Sequence, residues 1–174
     1  YAKLLHTYGK LLIDRQENDS GIDTLLKSIN LKIGLYGVNH TSLSKTYNYI
    51  GIGYFQRRNY KNANKFYRLS ANILLRNKIW DPNLFDTYQN LGIVEAVQGK
   101  YDRAYIYFDT TQMVLDSTRG QIDSLYLARF YSNYGLLATL NGKLEEGNIY
   151  FNRSELIHQK IKGDYSTSIA NINN

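Results

Sequence analysis

The chain has 174 residues, of which 43% are hydrophobic and 21% are charged, a balance typical of a folded globular protein. It contains no cysteine, which excludes a disulfide framework and a thiolate zinc site, and its single proline argues against collagen-like and linker architectures. The formal net charge of +6 makes acidic partners worth considering.

The elements predicted along the chain are helices that come in pairs. Hydrophobic periodicity predicts four units of two helices each, at about residues 2–40, 43–80, 84–120 and 127–163. Breaks inside the units are expected near residues 16–21, 58–60, 98–100 and 141–143. Residues 166–174 are predicted to begin a fifth unit that is cut before its own glycine. No stretch shows sustained two-residue alternation, so we expect an all-α protein.

The third unit shows the helical pattern most clearly. Leu84, Tyr88 and Leu91 follow one another at spacings of four and three residues, which places them on one face of a helix. Residues 98–100 interrupt this pattern with a glycine, and a second apolar stripe begins at Tyr101. We therefore expect two antiparallel helices that are joined by a short turn.

Turn-forming residues separate the predicted units. The segments DPN (81–83), GQIDS (120–124) and KGD (162–164) supply turn residues and helix N-caps. Pro82 is suited to the first turn of a helix, where the missing backbone N–H leaves no helical hydrogen bond unmade. Each of these segments is therefore predicted to lie between two helices.

The strongest signal is a repeat with a spacing of 41 to 43 residues. It is marked by four glycines, Gly9, Gly51, Gly92 and Gly135. Twelve residues after each glycine the sequence has a small residue, namely Gly21, Ala63, Ala104 and Gly147. Large residues stand four positions before each glycine (Leu5, Tyr47, Tyr88 and Tyr131) and sixteen after it (Leu25, Tyr67, Phe108 and Phe151). Because small residues let two backbones approach closely, the pattern predicts a helix crossing at each glycine.

These phrases resemble the tetratricopeptide repeat (TPR) family. The resemblance rests on YQNLG (88–92), on GKYDRA (99–104) and on the aromatic residue four positions later, Phe108. It extends over essentially the whole chain and is weakest in the first unit, where Asn18 and Gly21 replace the aromatic residue and the alanine. The period is longer than the usual one of about 34 residues, and is similar to that of kinesin light chain and of bacterial regulatory arrays. The resemblance implies an α-solenoid, a right-handed superhelical stack of antiparallel helix pairs.

The resemblance also implies a peptide-binding groove, which in this family is lined by the first helix of each pair. The positions three and two residues before the repeat glycines are occupied by His6 and Thr7, Asn48 and Tyr49, Gln89 and Asn90, and Ser132 and Asn133. One or four residues after the glycines stand Ile52, Phe55, Ile93 and Leu136, which are expected to form an apolar floor. A side-chain amide offers both a donor and an acceptor to a peptide backbone. The same amides could instead hold neighbouring helices together, and this alternative stays open.

A basic stretch lies in the second unit. From Arg57 to Trp80 there are seven basic residues and no acidic one, and Lys61, Lys65 and Arg68 share one helix face. Such a patch can bind nucleic acid or an acidic partner. No recognition motif or aromatic stacking platform accompanies it, so we interpret it as a solvated outer face and do not expect this segment to bind nucleic acid.

Signatures of catalysis and of cofactor binding are missing from the sequence. The GIG at residues 51–53 follows no strand and lacks the third glycine of a phosphate-binding loop. His6, His40 and His158 have no second ligand at metal-binding spacing. We therefore predict a protein without enzymatic activity, cofactor or metal. No apolar run approaches the length of about 18 residues that crosses a bilayer, so membrane insertion by this segment is not expected either.

Two functions are compatible with such an array. The first is a scaffold that binds a protein or a peptide and is a segment of a larger protein. The second is a ligand-sensing regulatory domain of a bacterial transcription regulator or sensor kinase. The sequence favours the scaffold, whereas the identity of the ligand, the compartment and the oligomeric state do not follow from it.

Overall fold

The computed structural model describes residues 1–118 and 120–172, with side chains up to residue 163. These residues form eight helices: α1 (Ala2–Asp14), α2 (Asn18–Tyr36), α3 (Ser42–Gln56), α4 (Tyr60–Arg76), α5 (Pro82–Ala96), α6 (Tyr101–Thr118), α7 (Ser124–Leu140) and α8 (Leu144–Ile172). No strand occurs in this part of the chain. The prediction of an all-α protein with four helix pairs is therefore confirmed.

The chain divides into two compact units. The first unit, Tyr1–Ser117, contains the pairs α1–α2, α3–α4 and α5–α6. Its consecutive pairs are joined by the packing of α2 on α3 and of α4 on α5. The second unit, Thr118–Asn174, contains the pair α7–α8, which packs together along its length.

The turns inside the four pairs share one backbone conformation. The residue seven positions after each repeat glycine has a positive φ, with values of 64° at Gln16, 58° at Arg58, 72° at Gly99 and 78° at Gly142. The next N–H then bonds to a carbonyl of the preceding helix, as Lys100 does to Glu95 at 3.0 Å. Glycine adopts this conformation without strain, whereas a residue with a Cβ does so at a cost. A glycine therefore marks this turn in the sequence of only two of the four pairs, α5–α6 and α7–α8.

The predicted capping residues lie at the starts of helices. Asp81 accepts hydrogen bonds from the backbone N–H groups of Asn83 at 3.0 Å and Leu84 at 3.1 Å, with Pro82 in the first turn of α5. Asp123 accepts in the same way from the N–H of the second residue of α7, at 2.8 Å. These side chains satisfy donors that have no partner inside the helix. The turns predicted at residues 81–83 and 120–124 are thus confirmed.

The end of the chain differs from the prediction. α8 runs without interruption from Leu144 to Ile172, through residues 162–164, where the sequence predicts a turn. That prediction is wrong because none of these three residues excludes a helix, as only proline removes a helical hydrogen bond by itself. The start of the predicted fifth unit lies in the same helix as the end of the fourth as far as Ile172. Its last two residues, 173 and 174, lie outside the described part of the chain.

The repeat glycines lie at the crossings of the paired helices, as predicted. A Cβ added to Gly51 would lie 2.5 Å from the ring of Tyr67, and one added to Gly92 would lie 2.7 Å from the ring of Phe108. In the second compact unit a Cβ added to Gly135 would lie 2.9 Å from the ring of Phe151. These distances are too short for any side chain in a close-packed interior. Glycine therefore sets the spacing of the helices within each pair.

The core of the first unit holds the pairs in register. Leu25 and Ile29 of α2 are buried in one cluster with Leu43 and Ile50 of α3. Full burial of each such side chain contributes about 1.5–3 kcal/mol. The second helix of each pair packs on the first helix of the next pair, α2 on α3 and α4 on α5. The first helices α1, α3 and α5 therefore lie next to one another.

Candidate functional site

The first helices of the three pairs in the first unit meet along two lines of contact. We name these lines the α1–α3 seam and the α3–α5 seam. The α1–α3 seam is defined by His6, Lys10, Lys32, Thr46 and Tyr49, and the α3–α5 seam by Asn48, Gln89 and Asn90. The two seams contain most of the groove positions predicted for this unit.

The α3–α5 seam is held by an amide pair. The Nδ2 group of Asn90 donates a hydrogen bond of 3.2 Å to Oδ1 of Asn48. Asn48 is 9% exposed and Gln89 only 2%, whereas Asn90 is half-buried. Among the described residues no atom accepts a hydrogen bond from Nε2 of Gln89. At least one pair of the predicted amide row thus joins neighbouring helices, the alternative that the sequence left open.

The predicted apolar floor lies beside the two seams. Its members Ile52, Phe55 and Ile93 are half-buried, and so is Tyr49 of the α1–α3 seam. Ile52 packs against the buried clusters on both sides of α3, and the ring of Phe55 lies 5.7 Å from that of Tyr60. Tyr49, Ile52 and Phe55 thus pack against the core clusters, and all four side chains remain partly accessible to solvent.

The remaining predicted groove residues belong to α7, in the second unit. The hydroxyl of Ser132 lies 2.8 Å from that of Ser154 on α8, and Ser154 also donates to the carbonyl of Ala128 at 2.8 Å. Ser132 therefore faces its partner helix. Asn133 is half-buried, and Leu136 is 51% exposed.

The α1–α3 seam contains a buried lysine. Lys32 of α2 is 7% exposed, and its Nζ donates to the carbonyl of Ser42 at 2.9 Å and to the hydroxyl of Thr46 at 2.7 Å. The same hydroxyl lies 3.0 Å from Nδ1 of His6. Because an ammonium group can only donate, the Thr46 oxygen accepts a hydrogen bond from Lys32. The O–H group of Thr46 can then donate a hydrogen bond to Nδ1 of His6. This arrangement favours a neutral His6 whose proton is on Nε2.

The charges that act on His6 are all positive. Burial lowers the pKa of His6 most, and Lys32, Lys10 and Lys45 lower it further, to about 4. Burial also lowers the pKa of the Lys32 ammonium group. His6 is therefore neutral at neutral pH, in surroundings that are rich in positive charge.

Tyr49 connects His6 to the exposed side of this seam. Its ring packs edge-on to His6, with the ring centres 5.8 Å apart. The Nζ of Lys10 lies 5.4 Å from the centre of the same ring, within the range of a cation–π contact. One aromatic side chain thus brings a neutral imidazole and an exposed ammonium group to the same part of the surface.

Lys32 is the residue that sequence reasoning missed. It follows Ile29 by three residues and Leu25 by seven, on the apolar stripe of α2. The same repeat position holds Leu74 and Leu115 in the next two units. A lysine in place of a repeated leucine is the signal that could have revealed it, because a charged residue on a buried face needs polar partners.

The basic stretch of residues 57–80, in the second repeat unit, makes several contacts inside the first compact unit. Arg57 forms an ion pair with Asp19. Arg68 donates to Oδ1 of Asn64 at 2.6 Å and to the hydroxyl of Tyr107 at 2.7 Å. Lys61 and Lys65 are exposed on α4. These two lysines provide a solvated basic surface away from the seams.

A second apolar surface lies on α1. An exposed stripe is formed by Tyr1, Leu4, Tyr8 and Leu11. At the positions equivalent to Tyr1 and Tyr8, α3 has Leu43 and Ile50, which are buried in the cluster that includes α2. The stripe thus has the form of a surface on which another helix packs, and it is the main competitor of the groove as a binding surface.

The part of the chain that the structure describes has no group of three or more side chains that could hold a metal ion. None of the helices in that part combines the length and the apolar character needed to cross a bilayer.

Comparison with solved structures shows the fold to be TPR-like. BtubC (BKLC) from P. vanneervenii superposes with a TM-score of 0.79 at 18% identity, over 94% of this chain and 66% of that one. MamA superposes with a TM-score of 0.68 at 19% identity, over 94% and 81% of the two chains. A putative kinesin light chain from Podosopora anserina, with nearly identical TPR-like repeats, gives 0.73 at 10% identity, over 91% and 75%. The α-solenoid class implied by the sequence resemblance is thereby confirmed.

A match by sequence covers a smaller part of the chain. The secreted RxLR effector protein RXLR-C07 of Plasmopara halstedii is 31% identical over 68 residues, which are 39% of this chain and 21% of that protein. This chain therefore spans about a fifth of that relative. No family model matches the chain.

Proposed function

We propose that this chain is a non-enzymatic scaffold segment that binds a protein or a peptide along the exposed side of α1, α3 and α5. The observation that supports this most is the apolar floor, of which Ile52, Phe55 and Ile93 are half-buried, together with the half-buried ring of Tyr49. Tyr49, Ile52 and Phe55 pack against the core clusters, and Asn90 on the same helix as Ile93 is already oriented by its bond to Asn48.

The apolar side chains of this surface suit the side chains of a bound peptide, and its amides suit the peptide backbone. Apolar side chains of a ligand gain about 25 cal/mol per Å² of surface buried on Ile52 and Ile93. The backbone of an extended peptide needs hydrogen-bond partners, which the half-buried amide of Asn90 can supply. Its bond to Asn48 fixes its orientation before binding, and this reduces the entropy that binding costs.

Burial divides the predicted groove residues by role. Tyr49, Ile52, Asn90 and Ile93 are accessible enough to touch a ligand, whereas Asn48 is buried and positions Asn90. For the second unit we propose a ligand contact of the same kind at Asn133 and Leu136, with Ser132 acting only through its bond to α8.

A selection from a random peptide library displayed on phage supplies ligands without knowledge of the natural partner. The affinity of a selected peptide is then measured by calorimetry for Ile93→Ala and for Ile106→Ala. Both variants lose the same atoms, but Ile93 lies in the groove and Ile106 is 63% exposed on α6. We expect Ile93→Ala to weaken binding about tenfold, which corresponds to about 1.4 kcal/mol, and Ile106→Ala to leave it nearly unchanged.

Thermal denaturation followed by circular dichroism checks that both variants remain folded at the temperature of the binding measurement. Two results contradict the proposal. One is an equal loss of affinity in both variants. The other is a peptide that is insensitive to Ile93→Ala and is lost with Leu4→Ser, which would place binding on the exposed stripe of α1.

A further inference from the structure

Positive charge collects on one seam of the groove only. The α1–α3 seam holds Lys10 and Lys32, and Lys45 lies close enough to act on His6 as well. From the helices packed around His6, the charges that act on it come from α1, α2 and α3, and none of them is a carboxylate. The α3–α5 seam, by comparison, is joined by a hydrogen bond between two neutral amides.

The buried member of this set is paired only with neutral oxygens. The Nζ of Lys32 has a carbonyl and a hydroxyl as its acceptors, and no ion pair of Lys32 occurs among the described residues. A buried ammonium group without a counter-charge is costly. Of the two acidic residues on the same helix, both exposed, Asp19 is paired with Arg57 and Asp23 forms no hydrogen bond or ion pair with Lys32. An anion near this seam would therefore lower an existing electrostatic cost as well as form new bonds.

Two donors lie at this seam. They are the Nε2–H group of neutral His6 and the ammonium group of Lys10, which both contact the ring of Tyr49, at 5.8 Å between ring centres and at 5.4 Å from Nζ to the ring centre. A carboxylate is an acceptor with room for several donors, and bonds from an ammonium group to it are charge-assisted. The donor set thus matches a carboxylate better than it matches a neutral carbonyl.

We propose that the α1–α3 seam takes the carboxylate of an aspartate or glutamate side chain, so that the peptide bound by this groove is acidic at this end. The inference rests on the proposed groove and names the chemistry of its ligand. Lys10 and Lys45 attract the side chain electrostatically and His6 donates to it, while the buried charge of Lys32, which is bonded to Thr46, adds to the attraction.

The test compares two double variants that change the net charge equally. Lys10→Gln/Lys45→Gln removes the two exposed positive charges at the seam, and Lys61→Gln/Lys65→Gln removes those of two exposed lysines of α4. Peptides are selected from a random phage library against the unmodified chain, and the affinity of a selected peptide is measured for both variants in about 0.15 M salt, where distant surface charges are screened. We expect selected peptides to be enriched in Asp and Glu, and to bind the seam variant about tenfold more weakly while the α4 variant changes little.

A second measurement follows His6 directly. A carboxylate at the seam favours the charged imidazole, so its binding should raise the pKa of His6 above about 4, as observed by NMR titration. The same peptide with glutamine in place of each glutamate, and asparagine in place of each aspartate, should not produce this rise.

The outcomes separate this inference from the proposed function. Peptides that lose affinity with Ile93→Ala but show no acidic enrichment would overturn the inference and leave the groove intact. The same holds if the seam variant and the α4 variant weaken binding equally, since that result indicates unspecific attraction. A selection that yields no peptide sensitive to Ile93→Ala contradicts both.

Discussion

The two seams of the first compact unit share two repeat positions, held by His6 and Tyr49 in one and by Asn48 and Asn90 in the other, but they differ in the charge of their polar groups. In the α3–α5 seam, Asn90 and Asn48 share a hydrogen bond between neutral amides. In the α1–α3 seam, Lys32, Thr46 and His6 form a chain of hydrogen bonds that begins at a buried positive charge. The repeat thus decides where side chains are placed, and the residue at each position decides what they can bind. If the first compact unit binds a peptide as proposed, its groove should be selective at the α1–α3 seam and general at the α3–α5 seam.

The largest expected effect comes from the helix that both seams share. Gly51→Leu on α3 should destabilise the chain by about 3 kcal/mol, because even a Cβ would lie 2.5 Å from the ring of Tyr67. Gly34→Leu on α2 is the matched control, since a Cβ there meets nothing within 4 Å. Replacing a helical glycine at such a site should be neutral or slightly stabilising. Urea denaturation gives both free energies of unfolding, and equal values would show that Gly51 is not at a tight crossing.

The next comparison uses two threonines at the same repeat position. Thr46 bonds Lys32 and His6, whereas Thr87 is 3.1 Å from the hydroxyl of Ser70 and donates to the carbonyl of Asn83 at 2.6 Å. Thr46→Val should cost about 2 kcal/mol, because it removes an acceptor from a buried ammonium group, and Thr87→Val about 1 kcal/mol. Chemical denaturation measures both. A smaller loss for Thr46→Val than for Thr87→Val would mean that the charged seam does not contribute as described.

The pH dependence of stability should distinguish the seams as well. The pKa of His6 is lowered from 6.5 to about 4 in the folded chain, so the unfolded chain binds the proton more readily. The contribution of His6 is therefore fully present above pH 6.5 and is lost as the pH falls from 6.5 to 4. For a partly exposed group this loss amounts to about 1 kcal/mol.

The matched variants for this measurement are His6→Asn and His158→Asn, the second on an exposed position of α8. The free energy of unfolding is measured between pH 7 and pH 4 in each chain. The first variant should have a flatter profile than the unmodified chain, and the second should keep its slope. If His6→Asn leaves the slope unchanged, the pKa of His6 is not lowered by the seam.

The smallest effect is expected at the neutral seam. A double-mutant cycle with Asn48→Ala and Asn90→Ala should give a coupling energy of about 0.5 kcal/mol, as for a partly buried hydrogen bond between neutral groups. The cycle is read from the free energies of unfolding of four chains. Additive single losses would show that the two amides do not hold α3 and α5 together.

Sequence reasoning reached the features that are encoded locally. The crossings at Gly51 and Gly92 follow from small residues at fixed spacing, and the cap at Asp81 from its immediate neighbours. The positive φ of Arg58 could not be anticipated, because no glycine marks that turn. The uninterrupted α8 was missed because Gly163 weakens a helix without ending it.

The contacts of the α1–α3 seam could not be predicted from neighbouring residues in the sequence, because they join residues that are far apart in the chain. His6 and Thr46 are 40 residues apart, and Lys32 and Thr46 are 14 apart. Their meeting depends on how three helices pack, which periodicity alone does not specify. The family resemblance predicted that Asn48 and Gln89 line a groove, whereas their burial is decided by the packing of α3 on α5.

The most direct test of the groove is an NMR titration of the chain, labelled at its isoleucine methyl groups, with a phage-selected peptide. Ile52 and Ile93 report on the floor of the groove, and Ile106 reports on the exposed side of α6. A ligand bound along α1, α3 and α5 should shift the methyl signals of Ile52 and Ile93 and leave that of Ile106 in place. A shift of Ile106 with Ile52 and Ile93 unmoved would contradict the account.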